Sequence, residues 1–347
     1  MFIYFVNIFG LILLHYFFYK KKISTLETYC WILIIFYFSI FIGFRYEVGG
    51  DWIHYKNFFY EYSKSIDSSL IKNFSDHGLV YVAINLISYF LGIDFIGANF
   101  VCAIIFMIAL SSFLYSTKNR WLGLLVSYPI IIVVLGMGYT RQGLAFAFSL
   151  LLLKSLENKK LYRSFIYLIL AILSHQSSLL FTSFILFYFL YNKRYSDLIK
   201  LMLVPILFGI IFFDKFSHLL YFYIGTGQHM TAIGSIPRSF LIFIVAVLFI
   251  LFKKKFVNMT QYQIYTYNWI AYMVILIMPF ASISTITVDR LLLYLYTLKI
   301  AFVSHANLDD KVINLAVFFI VSIYLLYFTI WINFGKNSLS WVPYNFI

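Results

Sequence analysis

Residues 29–44, YCWILIIFYFSIFIGF, run without a single charge. One such segment can be hidden in a soluble core. Here comparable apolar runs recur from the first residues to about position 334, separated by polar breaks that are mostly short. In a bilayer every backbone polar group must be satisfied within the segment, so repeated apolar runs of this kind imply helices that span it. Composition agrees: 63% of the 347 residues are hydrophobic and 11% are charged, against about 25% charged in a soluble chain. The mean hydropathy is +0.90. The sequence therefore predicts an all-α, polytopic membrane protein forming one domain over residues 1–347, with no soluble insert.

The net charge of +13 is explained by where the cations sit. Lys20–Lys22, Lys159 with Lys160 and Arg163, Lys193 with Arg194, and Lys253–Lys255 form short runs between apolar segments. Cytoplasmic loops of membrane proteins carry such runs. They lack the aromatic platform or folded module of a nucleic-acid binder, so nucleic acid is excluded as a partner and membrane lipids are implied. The opening MFIYFVNIFGLILLHYFFYKKK carries its charges after the apolar run. That order predicts a retained first helix with its N-terminus outside, not a cleaved signal.

Placing all four basic runs on the cytoplasmic side fixes the parity of crossings between them. The result is about 12 transmembrane helices, roughly 10–14. Residues 79–91 are too few to cross comfortably and read as a short re-entrant or interfacial helix. Residues 163–192 read as a hairpin broken at SHQSS, with His175 at its outer tip. A span is expected at about 198–213, and longer external loops at about 45–78 and 214–237. On this topology Arg45, Asp51, Arg141, His175 and Arg290 reach the same, external face.

Those five carry the chemistry. FRYEVGGDW places Arg45 at a helix end, two glycines that permit a tight turn, and then Asp51. Arg141, in GMGYTRQG, stands where a helix begins. There it adds charge to the positive end of the dipole, a combination suited to an anion and above all a phosphate. His175 breaks an apolar hairpin and is a candidate acid, base or hydrogen-bond donor. Arg290 follows Asp289 at the start of another span and is a second candidate anion ligand, or a partner for Asp289. Bland readings exist for each: a snorkelling arginine, a satisfied structural histidine, an ion pair. The seven histidines show no i,i+4 pair and no cysteine partner, so no metal centre is predicted. Cys30 and Cys102 read as buried structural thiols. There is no nucleotide loop and no serine-hydrolase elbow. No cofactor is expected.

Five short motifs in order, Arg45-Tyr-Glu-Val-Gly-Gly-Asp51, Arg141-Gln142-Gly-Leu-Ala145, His175-Gln-Ser177, Asp289-Arg290-Leu-Leu-Leu-Tyr294 and Trp341-Val-Pro343-Tyr344, resemble the EpsG-like branch of bacterial polysaccharide polymerases, which includes the O-antigen polymerases (Wzy). The resemblance spans nearly the whole chain. It implies a metal-independent glycosyltransferase of the bacterial inner membrane that joins undecaprenyl-diphosphate-linked oligosaccharide repeat units on the periplasmic face, with a polysaccharide chain-length regulator as a partner. In that reading Arg45, Arg141 and Arg290 bind the diphosphate or glycan, and His175 and Asp51 are catalytic. The rival class is a transporter or flippase of a lipid-linked or anionic substrate, which would also use intramembrane Arg, His and Asp but at the bilayer midplane. A membrane O-acyltransferase is a further rival, opposed by the outward position of His175.

Overall fold

A computed structural model of the chain describes residues 1–19, 25–64, 78–199 and 234–347. Nearly all of the span expected at 198–213 and of the loop at 214–237, the outer part of the loop at 45–78 and the basic run Lys20–Lys22 lie outside these residues.

The apolar runs form the helices α1 (Phe2–Phe18), α2 (Thr25–Gly43), α3 (Trp52–Lys64), α4 (Leu79–Phe90), α5 (Phe95–Tyr115) and α6 (Arg120–Ser127), which continues as a π-helix over Tyr128–Met137. Then come α7 (Thr140–Glu157), α8 (Leu161–Ser174), a 3-10 turn (Gln176–Phe181), α9 (Thr182–Tyr191), α10 (Ser235–Phe252), α11 (Gln261–Ile277), α12 (Thr285–Leu295), α13 (Thr297–Ser304) and α14 (Lys311–Phe334). The only strands among the described residues are β1 (Arg45–Tyr46) and β2 (Asn345–Phe346), paired antiparallel with Arg45 opposite Phe346. The predicted all-α membrane class holds. Among the described residues six helices are long and apolar enough to cross a membrane, and four shorter apolar ones accompany them; these do not establish the expected count of about 12.

Side-chain caps start several helices by satisfying their free amides. Asp94 accepts from the Phe95 amide and Asp310 from those of Val312 and Ile313. Thr260 and Gln263 form a reciprocal capping box. The segment Arg120–Met137 is wholly buried and forms the axis of the bundle. Helices α1, α2, α5, α7, α13 and α14 all pack on it.

The bundle has two unlike ends. At one, Phe18 stacks on Trp121 at 5.4 Å, and Glu27 accepts from Arg120 Nε at 2.9 Å and Trp121 Nε1 at 3.1 Å. Both members of the Arg120–Glu27 pair are buried, and the guanidinium lies over Tyr115 and Trp31. A cavity of about 640 Å3 opens here beside Lys118, Lys154, Glu157 and His305. Deeper in the bundle, Lys299 is fully buried over the rings of Tyr324 and Tyr296, at 4.1 and 4.8 Å, where ring faces stand in for a counterion. The opposite end holds the five candidate residues. Helix α4 starts and finishes there: a Cβ on Gly78 would meet the Ser174 carbonyl, and the Ile93 amide returns to Ser88 just before α5.

Candidate active site

The frame comes first. After α2, Arg45 turns inward and is only 1% exposed. Its guanidinium donates to the Ile42 carbonyl, to the Val48 carbonyl at 3.0 Å and to Thr140 Oγ1 at 3.3 Å. It thus closes α2, ties down the following loop and reaches the first residue of α7. Gly49 has φ +110°, and an added Cβ would lie 2.5 Å from the Met137 carbonyl oxygen. No side chain fits that position. At Gly50 the same atom meets only the Trp341 ring, at 3.5 Å. Gly49→Ala is therefore expected to lower the melting temperature in detergent, with strain of about 1–3 kcal/mol before the clash is counted. Gly50→Ala is expected to melt near wild type.

The segment after α14 completes the frame. Trp341 is buried, donates to the Val133 carbonyl at 3.2 Å, and accepts from Tyr4 at its own carbonyl at 2.7 Å. Ser340 accepts from the Gly49 amide at 2.7 Å. Tyr344 stacks on Phe41 at 4.6 Å and donates to its carbonyl. The Trp-Val-Pro-Tyr motif is a strap over the Arg45–Asp51 loop.

The frame gathers four of the five candidates and leaves one apart. Asp51 precedes α3, and its carboxylate bonds to the Tyr55 hydroxyl one turn on. The Tyr55 ring lies 5.8 Å from the Arg141 guanidinium carbon, and its hydroxyl also bonds to Arg141. Arg141 and Arg290 are both close enough to act electrostatically on Asp51 and on His175. Arg290 is exposed and Arg141, Asp51 and His175 are half-buried. Arg45 is the exception, since its donors are spent on the protein itself.

His175 lies at the turn between α8 and the 3-10 segment, outside both. Its Nδ1 is 2.6 Å from Ser177 Oγ, 3.1 Å from the Tyr294 hydroxyl and 3.4 Å from the Ser177 amide. Ser177 and Tyr294 also bond to one another at 3.0 Å. Nε2 faces Gln142 at 3.5 Å. Burial, with Arg141 and Arg290 alongside, disfavours a second proton on the ring. For Asp51, burial raises the carboxyl above its ordinary value, and Arg141, His54, Arg290 and the Tyr55 hydroxyl pull the other way.

Arg290 acts on its neighbour Asp289 electrostatically, but the ion pair of Asp289 is with another helix. Asp289 is buried in a two-pronged ion pair with Arg238 of α10, at 3.1 Å from Nε to Oδ1 and 2.6 Å from Nη2 to Oδ2. That pair fixes α12 against α10 while Arg290 projects to the surface. Gln142, Ser177 and Tyr294 stand in the motifs quoted from sequence but were given no role there, and Tyr55 and Arg238 were not candidates. Two left a signal: Tyr55 and Tyr294 each follow a candidate by four residues and so share its helix face.

The site thus brings two guanidinium groups, an imidazole and a carboxylate to one end of a membrane bundle. This constellation can bind an anionic group, donate hydrogen bonds to it and accept a proton. No curated protein matches the chain, and no solved structure does. A family model does match, that of the EpsG family, over residues 28–346. The match covers all five motifs and every residue of the cluster, and the chain belongs to the EpsG family, a family of polysaccharide-polymerase-like membrane proteins.

Proposed function

We propose that the protein is a polymerase that transfers a growing glycan from undecaprenyl diphosphate to the sugar of a second carrier-linked repeat unit, on the periplasmic face of the inner membrane. The observation that carries this reading is the meeting of Arg141, Arg290, His175 and Asp51 from four separate segments. The acceptor hydroxyl oxygen forms a bond to the anomeric carbon of the donor sugar. The bond from that carbon to the diphosphate oxygen breaks, and the lipid diphosphate leaves with the electron pair. Negative charge grows on the diphosphate, where pre-placed donors are most effective. Arg141 and Arg290 hold it. Asp51 takes the hydroxyl proton, and burial helps it by bringing its proton affinity nearer to that of a working base. Arg45 holds the loop in place and does not touch substrate.

The test is a reconstituted reaction. Purified protein with its cognate undecaprenyl-diphosphate-linked repeat unit, in excess EDTA, is expected to give a ladder of multiples on a gel. A folded protein that gives no ladder, with divalent metal restored as well, would overturn the reading.

A base that must be ionised gives activity that is lost as pH falls through its pKa. For Asp51 this acidic limb is expected above the ordinary carboxylate value, because burial outweighs the neighbouring cations. Asp51→Asn is expected to lower the rate about 10²–10⁴-fold and to abolish the limb. A limb that persists in Asp51→Asn would assign the base elsewhere.

A further inference from the structure

The polymerase reading leaves two roles open for His175: base toward the acceptor hydroxyl, or hydrogen-bond donor toward the diphosphate. The contacts of its ring separate them. We infer that Tyr294 and Ser177 are positioning residues that fix His175 as the Nε2–H tautomer, making it a donor to the leaving diphosphate and not the base for the acceptor. This inference rests on the polymerase reading for its substrate, but the tautomer itself does not.

The Ser177 backbone amide donates to Nδ1 at 3.4 Å, so the His175 side chain caps the 3-10 turn. An amide N–H can only donate, so Nδ1 presents a lone pair to it. The Ser177 and Tyr294 hydroxyls close a triangle with the same atom, at 2.6, 3.1 and 3.0 Å. Each hydroxyl can donate, and the two can pass the donor role between them. Nδ1 is thereby occupied by protein groups. The single proton of the neutral ring then sits on Nε2.

One contact speaks for the other tautomer: the Gln142 amide nitrogen lies 3.5 Å from Nε2. This is at the outer limit of a hydrogen bond, and a side-chain amide can turn over to present its oxygen instead. A backbone amide cannot. The Ser177 amide therefore decides, for as long as the two hydroxyls hold the ring against it. Arg141 and Arg290 act on the same ring, and both also act on Asp51. An anion drawn to the two arginines meets a third donor at Nε2. The acceptor's proton needs a different destination, and Asp51 is the carboxylate of the cluster. Tyr294 lies four residues beyond Arg290 on α12. One helix face therefore supplies both a charge for the anion and the hydroxyl that orients the imidazole.

Two measurements separate this inference from the polymerase reading. The first needs no substrate. Long-range nitrogen–proton NMR on ¹⁵N-histidine protein in detergent reports the tautomer, with His175→Gln identifying the signal. The Nε2–H form is expected. A Ser177→Ala, Tyr294→Phe double variant is expected to give a mixture of forms. A wild-type Nδ1–H signal, or an unchanged spectrum in the double variant, would overturn the inference. The second uses the ladder assay. Gln carries an N–H at nearly the reach of Nε2 but is not a base. His175→Gln is expected to stay within about 10-fold of wild type, while His175→Ala loses about 10²–10³-fold. Equal loss in both variants, with wild type active, would make the ring a base and sink the donor role. If wild type itself makes no ladder, the polymerase reading fails and the spectrum still decides the tautomer.

Discussion

Arg141→Ala is expected to stop chain extension while leaving the protein in the membrane at normal abundance. Arg141 is the second residue of α7, whose N-cap residue, Tyr139, makes no side-chain capping bond. The guanidinium is thus added to the positive end of a buried helix. A single pre-placed donor to a developing oxyanion is worth about 10²–10³ in rate. A guanidinium adds full charge and a two-pronged grip, so the loss is expected at or beyond the upper part of that range. The measure is the length distribution of product beside an immunoblot of the membrane fraction. Arg141→Lys should restore only part of the rate, because an ammonium keeps the charge and loses the fork. A wild-type length distribution in Arg141→Ala would remove this residue from the site, and with it the reason for placing the diphosphate there.

Arg45→Ala should behave differently, losing stability and activity together. Three protein acceptors depend on the buried guanidinium: the carbonyls of Ile42 and Val48, and Thr140 Oγ1. Each buried polar group left without a partner costs about 1–3 kcal/mol. Three such groups put the expected loss at about 3–6 kcal/mol, allowing for some relaxation and excluding the volume left behind. Thermal unfolding in detergent gives the stability. Arg45→Lys is the sharper probe, because lysine keeps the charge but cannot reach three acceptors in a plane. A positioning role predicts that Arg45→Lys is nearly as damaged as Arg45→Ala. If Arg45→Lys melts like wild type and loses only substrate affinity, Arg45 would belong among the diphosphate ligands after all.

The class of fold was legible because lipid imposes one rule on every segment, and the apolar runs obey it wherever they occur. The broken hairpin at His175 was legible for the same reason: polar residues interrupt an apolar run that is otherwise too long to leave. The π-helix at Tyr128–Met137 was not, since its residues are as apolar as those of an α-helix. The break at Tyr296 between α12 and α13 hides in the same way.

Pairings were less legible than positions. Adjacent residues on a helix point about 100° apart, so Asp289 and Arg290 face different neighbours despite their order in the chain. The true partner of Asp289, Arg238, comes 51 residues earlier, on another helix. Arg45 reads as an outward arginine until the left-handed turn at Gly49 folds the loop back over it. The tautomer of His175 depends on Tyr294, which is 119 residues away.

The strap around Trp341 sets an order of events during synthesis. The Tyr344–Phe41 contact joins residues 303 positions apart, and the Gly49 amide is held by Ser340. A chain made from its N-terminus inserts α1 and α2 long before residues 336–346 exist. Until they arrive, the Asp51 loop lacks its cover, its only inter-strand pairing among the described residues and the bond to Gly49. On the proposed function, the Asp51 carboxylate thus comes into register last, and a nascent chain would have no finished site with which to act on lipid-linked sugars.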